Sequence, residues 1–142
     1  MMTQILEPKK NYKVFVLIGD GECNEGSVWE ASMSASHFKL NNLTAILDKN
    51  NLQQTGSNEE IMSTRKLGDK WRSFNWDVKE IDGHNIEQIL SAFNYVSEKP
   101  KLILANTVKG KGFSFSENNN DWHHSVLSKS FYDKALKELI KK

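Results

Sequence analysis

Two polar residues, thirty positions apart, each follow an apolar run. Asp20 stands between Gly19 and Gly21 directly after the run VFVLI, and Asn50 comes shortly after the run LTAIL. A strand, a helix and a second parallel strand need roughly 30 residues, so this spacing predicts one strand–helix–strand unit. Both side chains then lie at the carboxyl ends of neighbouring strands, where open α/β sheets bind their ligands.

The chemistry of these two residues suits a magnesium ion held together with a diphosphate. A carboxylate and an amide oxygen are ligands that Mg²⁺ accepts, and phosphate oxygens and water complete its shell. Gly19 and Gly21 lack a Cβ, so the backbone can turn sharply and approach the ligand, and the amides of a following helix attract anions. From spacing alone, a turn or helix-start role for Asp20 stays an open alternative.

The residues around Asp20 and Asn50 resemble the thiamine-diphosphate motif of the transketolase family, in which GDG is followed, slightly under thirty residues later, by an asparagine. Further stretches are similar to the amino-terminal subunit of a transketolase split into two chains: NEGSVWEA, SASHFKLNNLTAI, DKNNLQQTG, KPKLILANTVKGKG and ENNNDWHHSVLS. The resemblance runs from about Tyr12 to the carboxyl end. It implies a subunit or fragment that anchors Mg²⁺ and thiamine diphosphate for two-carbon ketol transfer between sugar phosphates.

The resemblance also implies which residues bind the cofactor and its metal. Asp20 and Asn50 match the metal-binding side chains, and the backbone carbonyl of Leu52 matches the third protein oxygen. Gly19, Asp20, Gly21 and Asn50 match the diphosphate cradle. These assignments are expectations carried over position by position from the family motif.

Two catalytic residues are implied in the same way. His123, in WHH, matches a family histidine that handles protons on the substrate, a task suited to an imidazole that titrates near neutrality. Motif position favours His123 over His124. Glu25 matches a position in a carboxylate network that crosses a dimer interface; its alternative role is favourable charge near a helix amino terminus. His37 and His84 are interpreted as packing and local structural residues.

Composition excludes several classes of function. The net charge of +1, from 19 basic and 18 acidic residues, provides no field for nucleic acid and no polybasic membrane patch. No apolar run approaches the ~20 residues of a membrane span. Cys23, the single cysteine, cannot form an internal disulfide, and no secretory signal is evident, so a cytoplasmic location is expected. Cys23 is interpreted as a packing residue rather than a nucleophile.

The alternation of strand and helix patterns predicts an α/β fold, with a mainly parallel sheet flanked by helices. At 142 residues, one domain is expected, with residues 1–11 as a flexible lead-in and residues 12–142 as the carboxyl-terminal portion of a diphosphate-binding domain. The predicted strands are 13–18, 43–47, 76–81 and 102–107. Four helices are predicted: at 27–39, at 66–74, after Asn85 and from Ser128. The third of them carries a stripe of apolar residues that reaches Val96. The tryptophans Trp29, Trp71, Trp76 and Trp122 are predicted to lie in the core or at an interface.

An active site would need more than this chain. The family carries a long segment upstream of the GDG strand, and its pyrimidine-binding half and activating glutamate have no counterpart here. The expected partner is a carboxy-terminal, pyrimidine-binding transketolase subunit in a homo- or hetero-oligomer. Three alternatives stay open: an inactive truncated product, a purely structural or interaction module, and a part of a related thiamine enzyme, such as a dehydrogenase component or a deoxyxylulose-phosphate synthase.

Overall fold

The computed structural model describes residues 12–140 as one parallel sheet with flanking helices. The strands are β1 (Val14–Gly19), β2 (Leu43–Lys49), β3 (Asp77–Asp82) and β4 (Lys101–Asn106). The helices are α1 (Gly26–His37), α2 (Asn58–Ile61), α3 (Leu67–Ser73), α4 (Ile86–Asn94) and α5 (Lys129–Ile140), with short 3₁₀ helices at Gly21–Asn24 and Asn120–His123. The predicted α/β class is confirmed, while the predicted lead-in 1–11 lies outside the described residues.

The four strands pair in the order β1-β2-β4-β3, and every pair is parallel. Gly19 is in register with Asp48, and Lys49 is in register with Asn106. The carboxyl ends of the strands therefore meet at one edge of the sheet. The predicted neighbourhood of β1 and β2, which the thirty-residue spacing indicated, is confirmed.

One face of the sheet carries the larger core. Helices α1 and α3 pack there against β2 and β4, whose Leu47 and Leu102 are fully buried. Trp71 and Trp76 are buried in this core, with Trp29 packed against it, so the prediction for these three tryptophans is confirmed. This face owes its stability to burial of large apolar side chains.

The opposite face is covered less completely. Its core joins Ala92 and Ile89 of α4 to strand residues of β2, β3 and β4, and among the described residues it includes no other helix. The apolar stripe predicted for α4 is therefore buried only in part: Ile86 and Leu90 stay more than half exposed. The stripe is also shorter than predicted, because α4 ends at Asn94 and Val96 lies beyond it.

The strand β1 differs from the inner strands because much of its apolar surface is open. Leu17 is 72% exposed and Phe15 is 53% exposed, although their sequence is typical of a strand buried on two sides. No other strand pairs with the outer edge of β1 within the described residues. The described part of the chain therefore leaves apolar side chains of β1 exposed.

The segment 48–66 contains a helix that the sequence interpretation did not assign. Helix α2 begins directly after Ser57, whose side chain accepts a hydrogen bond from the backbone of Glu60, while the Glu60 side chain accepts one from the backbone of Ser57. This reciprocal pair is a capping box, and the sequence SNEE carries its signature.

None of the helices described between residues 12 and 140 combines the length and apolar character that crossing a bilayer requires.

Candidate cofactor and metal site

Asp20 lies at the carboxyl end of β1, where the chain leaves the sheet. Its backbone N–H donates to the carbonyl of Asp48 at 3.0 Å, which extends the β1–β2 ladder by one residue. The Asp20 side chain is 1% exposed, so the sheet edge encloses a carboxylate. Buried carboxylates need compensating partners, because burial penalises the charged form.

Two donors from the segment after β2 converge on one oxygen of this carboxylate. Asp20 Oδ2 accepts from the backbone N–H of Asn51 at 2.7 Å and from Nδ2 of Asn58 at 2.8 Å. Asn51 has a left-handed backbone, with φ of 62°, which asparagine tolerates better than most residues. The β1 end and the loop after β2 are therefore joined at Asp20.

The electrostatics of Asp20 favour a nearby cation. Burial raises the pKa of the Asp20 carboxyl, hydrogen bonds from Asn51, Asn58 and Gly21 oppose that rise, and the negative charge of Asp48 adds to it. The net direction is upward. A cation beside the carboxylate would oppose this penalty by stabilising the charged form.

Asn50 lies next to the residue whose backbone binds Asp20, and its side chain forms a local turn. Its Oδ1 accepts from the backbone N–H of Leu52 at 3.0 Å, and its Nδ2 lies 3.5 Å from Asp48 Oδ2. Such a turn is typical of asparagine in loops. An amide oxygen has a second lone pair, so Oδ1 could also contact a cation. The metal-ligand roles of Asn50 and of the Leu52 carbonyl stay predictions.

The backbone around the two glycines is arranged for close contact. A Cβ added at Gly21 would lie 3.2 Å from Cγ of Gln53, tighter than most real contacts. The N–H of Gly19 donates to the Glu22 carboxylate at 2.6 Å, so a negatively charged group of the chain itself already meets this backbone. The turn therefore has limited space at Gly21, and the amide of Gly19 is already paired with Glu22.

Cys23 and Glu25 follow in the next turn. Cys23 is 3% exposed within the core, and burial raises the pKa of its thiol to about 11. A thiol with so high a pKa is a poor nucleophile, so the packing role predicted for Cys23 is confirmed. Glu25 directly precedes α1, is exposed, and makes no side-chain capping bond to the helix. Its predicted place in a network across an interface stays a prediction.

His123 occupies a different environment from Asp20. It ends the 3₁₀ helix Asn120–His123, it is exposed, and its Nδ1 lies 3.2 Å from Nζ of Lys109. Its ring lies 4.6 Å from the ring of His124. Local desolvation, followed by the positive charges of Lys109 and His124, lowers the pKa of His123. The imidazole is therefore biased toward its neutral form, which can accept a proton.

The loop that carries His123 is attached at both ends. At its start, His84 Nε2 accepts from the backbone N–H of Val108 at 2.8 Å, which agrees with the local structural role predicted for His84. Near its end, Trp122 packs against Phe115 at 4.8 Å and against Phe131 of α5 at 4.9 Å, measured between ring centroids. These contacts fix the backbone beside His123 while its side chain stays exposed.

The donor set at Asp20 fits magnesium better than a transition metal. Among residues 12–140, no group of three or more His, Cys, Asp or Glu side chains could hold a metal ion. What the structure shows here is one buried carboxylate, with Asn50 and Leu52 in the adjoining segment, and Mg²⁺ is commonly held by one or two carboxylates together with phosphate oxygens. Sequence reasoning missed Asn51 and Asn58; the polar stretch NNLQQTGSN was their only signal.

Comparisons with known proteins agree with this architecture. Residues 6–139 match the family model of the transketolase thiamine-diphosphate-binding domain. One subunit of an apulose-4-phosphate transketolase from Phocaeicola vulgatus is 44% identical over 134 residues, which are 92% of this chain and 48% of the relative. One subunit of a 6-deoxy-6-sulfo-D-fructose transketolase from Clostridium sp. is 44% identical over 131 residues, which are 90% of this chain and 48% of the relative.

A solved structure extends the comparison to three dimensions. The crystal structure of transketolase from Campylobacter jejuni superposes with a TM-score of 0.84 at 30% identity, covering 89% of this chain and 20% of that one. The chain therefore belongs to the family of transketolase thiamine-diphosphate-binding domains. It spans about half the length of the two bacterial relatives.

Proposed function

We propose that this chain is part of a transketolase-type transferase, in which it anchors Mg²⁺ and the diphosphate of thiamine diphosphate. The observation that carries the proposal is the Asp20 site, where a carboxylate that is 1% exposed is held by donors from the loop after β2. A buried carboxylate at the carboxyl end of a parallel sheet, beside a glycine turn, has the character of a cation and diphosphate site.

Thiamine diphosphate, when bound, supplies the carbanion chemistry that two-carbon transfer between sugar phosphates requires. The chain's own contribution is binding and proton handling. Asp20, Asn50 and the Leu52 carbonyl would hold the metal, and Gly19 and Gly21 would admit the diphosphate. These roles follow from the residues that match the family motif.

The proposed proton carrier is His123, whose lowered pKa leaves it neutral and able to accept a proton near pH 7. Glu25 is proposed to join carboxylates of another subunit rather than to touch the substrate. Its motif position and its exposure at the start of α1 support this role.

The chain is proposed to act only together with further polypeptide. The relatives are about twice as long, and the open surface of β1, with Leu17 at 72% exposure, leaves apolar area for a covering partner. We propose that one partner within an oligomer is a carboxy-terminal, pyrimidine-binding subunit. The cytoplasm is the proposed location, since Cys23 is the chain's single cysteine and has no internal disulfide partner.

Titration calorimetry with the magnesium complex of thiamine diphosphate tests the binding function directly. Wild type is expected to bind, and Asp20→Ala is expected to lose that binding. Asp69→Ala is the matched control, because it removes an exposed aspartate of α3 and should leave affinity unchanged. No binding by wild type would contradict the proposal and favour an inactive structural or interaction module.

A second measurement addresses the need for a partner. The purified chain, supplied with thiamine diphosphate, Mg²⁺ and sugar phosphates, is expected to transfer no two-carbon units. Transfer by the pure chain would show that its own residues suffice and would contradict the proposed dependence on further polypeptide.

A further inference from the structure

Asn58 is a buried polar residue that the family motif does not include. It is the first residue of α2 and is 3% exposed. Its Nδ2 donates to Asp20 Oδ2 at 2.8 Å and to Thr64 Oγ1 at 2.9 Å. Both hydrogens of the amide group are thus used, one on the carboxylate and one on a buried hydroxyl.

The backbone of Asn58 is tied to the same site. Its N–H donates to the carbonyl of Asn51 at 3.0 Å, and the N–H of Asn51 in turn donates to Asp20 Oδ2 at 2.7 Å. The capping box of Ser57 and Glu60 fixes the start of α2 at this point. Asn58 is therefore held by regular structure rather than by a freely moving loop.

The other end of the Asn58 amide has no hydrogen-bond partner. Among the described residues, Oδ1 of Asn58 is a buried oxygen without a donor, a situation that destabilises a folded protein. Turning the amide around would place Oδ1 against the Asp20 carboxylate, where two acceptors would face each other. The observed orientation therefore gives Asp20 a donor and leaves an unpaired oxygen elsewhere.

We propose that Asn58 is a positioning residue for the cation site. Together with the N–H of Asn51, it donates to Oδ2 of Asp20 and so fixes the rotamer of the carboxylate that would hold the cation. This inference rests on the proposed function of Asp20 as a magnesium ligand. Residues that orient metal ligands typically account for ~10–100-fold in metal affinity.

The test is Asn58→Leu, which keeps a similar volume and removes the donor. Thr64→Val is the matched control, because it removes the other acceptor of Asn58 Nδ2 and leaves the contact with Asp20. Affinity for the magnesium complex of thiamine diphosphate, measured by calorimetry, is expected to fall ~10–100-fold in Asn58→Leu and to change little in Thr64→Val. Vicinal NMR couplings that report the Asp20 side-chain rotamer give a readout independent of binding.

The couplings should show one rotamer of Asp20 in wild type and Thr64→Val, and averaged rotamers in Asn58→Leu. Wild-type affinity, or a single unchanged rotamer, in a folded Asn58→Leu variant would overturn the inference. If Asn58→Leu fails to fold, Asn58→Ala replaces it with the same two expectations. If wild type binds no cofactor, the proposed function fails, and the couplings of the cofactor-free protein still decide whether Asn58 orients Asp20.

Discussion

The end of β1 and the loop after β4 both carry residues predicted for chemistry, but they are built in different ways. Asp20 is buried, and its carboxylate accepts hydrogen bonds from Asn51, Asn58 and Gly21 of the same chain. His123 is exposed, and its imidazole lies beside the side chains of Lys109 and His124 at the surface. The difference teaches that the proposed metal and diphosphate site is preorganised by this chain, whereas the exclusion of water that the proposed proton transfer at His123 requires must come from elsewhere.

The largest expected effect comes from Asp20→Asn, which separates binding from stability. The amide oxygen can still accept from Asn51 and Asn58, but the charge that attracts Mg²⁺ is gone, so binding of the magnesium complex of thiamine diphosphate should fall by more than the ~100-fold of an outer-shell change. Stability should not fall. Because folding raises the pKa of Asp20, the folded state loses stability as pH rises through that raised value, and the substitution removes this loss.

Calorimetry and thermal unfolding at neutral pH measure the two effects of Asp20→Asn. The expected result is lost binding with an unchanged or higher Tm, and the Tm difference from wild type should shrink toward acid pH. A lower Tm at neutral pH would mean that the Asp20 carboxylate stabilises the fold. The contrast between the Asp20 site, which serves binding, and the His123 loop, which is held by packing, would then be lost.

An intermediate effect is expected from Gly83→Ala, which disturbs the attachment of the His123 loop. A Cβ at Gly83 would lie 2.5 Å from Cγ2 of Thr107 and 3.1 Å from the carbonyl oxygen of Asn106. Overpacking of this kind typically destabilises a protein by ~1–3 kcal/mol. Urea denaturation measures the loss. Gly26→Ala, where an added Cβ meets nothing within 4 Å, is the control; equal stability of the two variants would contradict the tight packing described for this turn.

The smallest expected effect concerns the charge next to His123. Lys109 lowers the pKa of this histidine, because a positive neighbour disfavours the imidazolium. Lys109→Met should therefore raise the pKa of His123, and added salt should raise it in wild type by screening. NMR titration of the imidazole protons measures the shift, with Lys111→Met in the same loop as control. A pKa that falls or stays constant in Lys109→Met would show that the 3.2 Å contact does not persist in solution.

The strands, and the contact between Asp20 and the segment after β2, could be predicted from the sequence. Strand periodicity and a thirty-residue spacing are local properties that the sequence displays directly. It did not predict Asn51 and Asn58, whose contacts depend on a left-handed residue and on a helix of four residues. It also predicted an apolar stripe on α4, of which Ile86 and Leu90 stay more than half exposed. Periodicity shows which residues share a helix face, but it does not show what covers that face.

The open edge of β1 has a consequence for the chain when it is produced alone. Backbone amides alternate along a parallel strand, and Val14 and Asp20 donate toward β2, so those of Phe15 and Leu17 point outward. Glu22 accepts from the final outward amide, that of Gly19. A flat, apolar strand edge is a template for self-association, so the solubility of the isolated chain should depend on concentration and improve when charged residues replace Phe15 or Leu17.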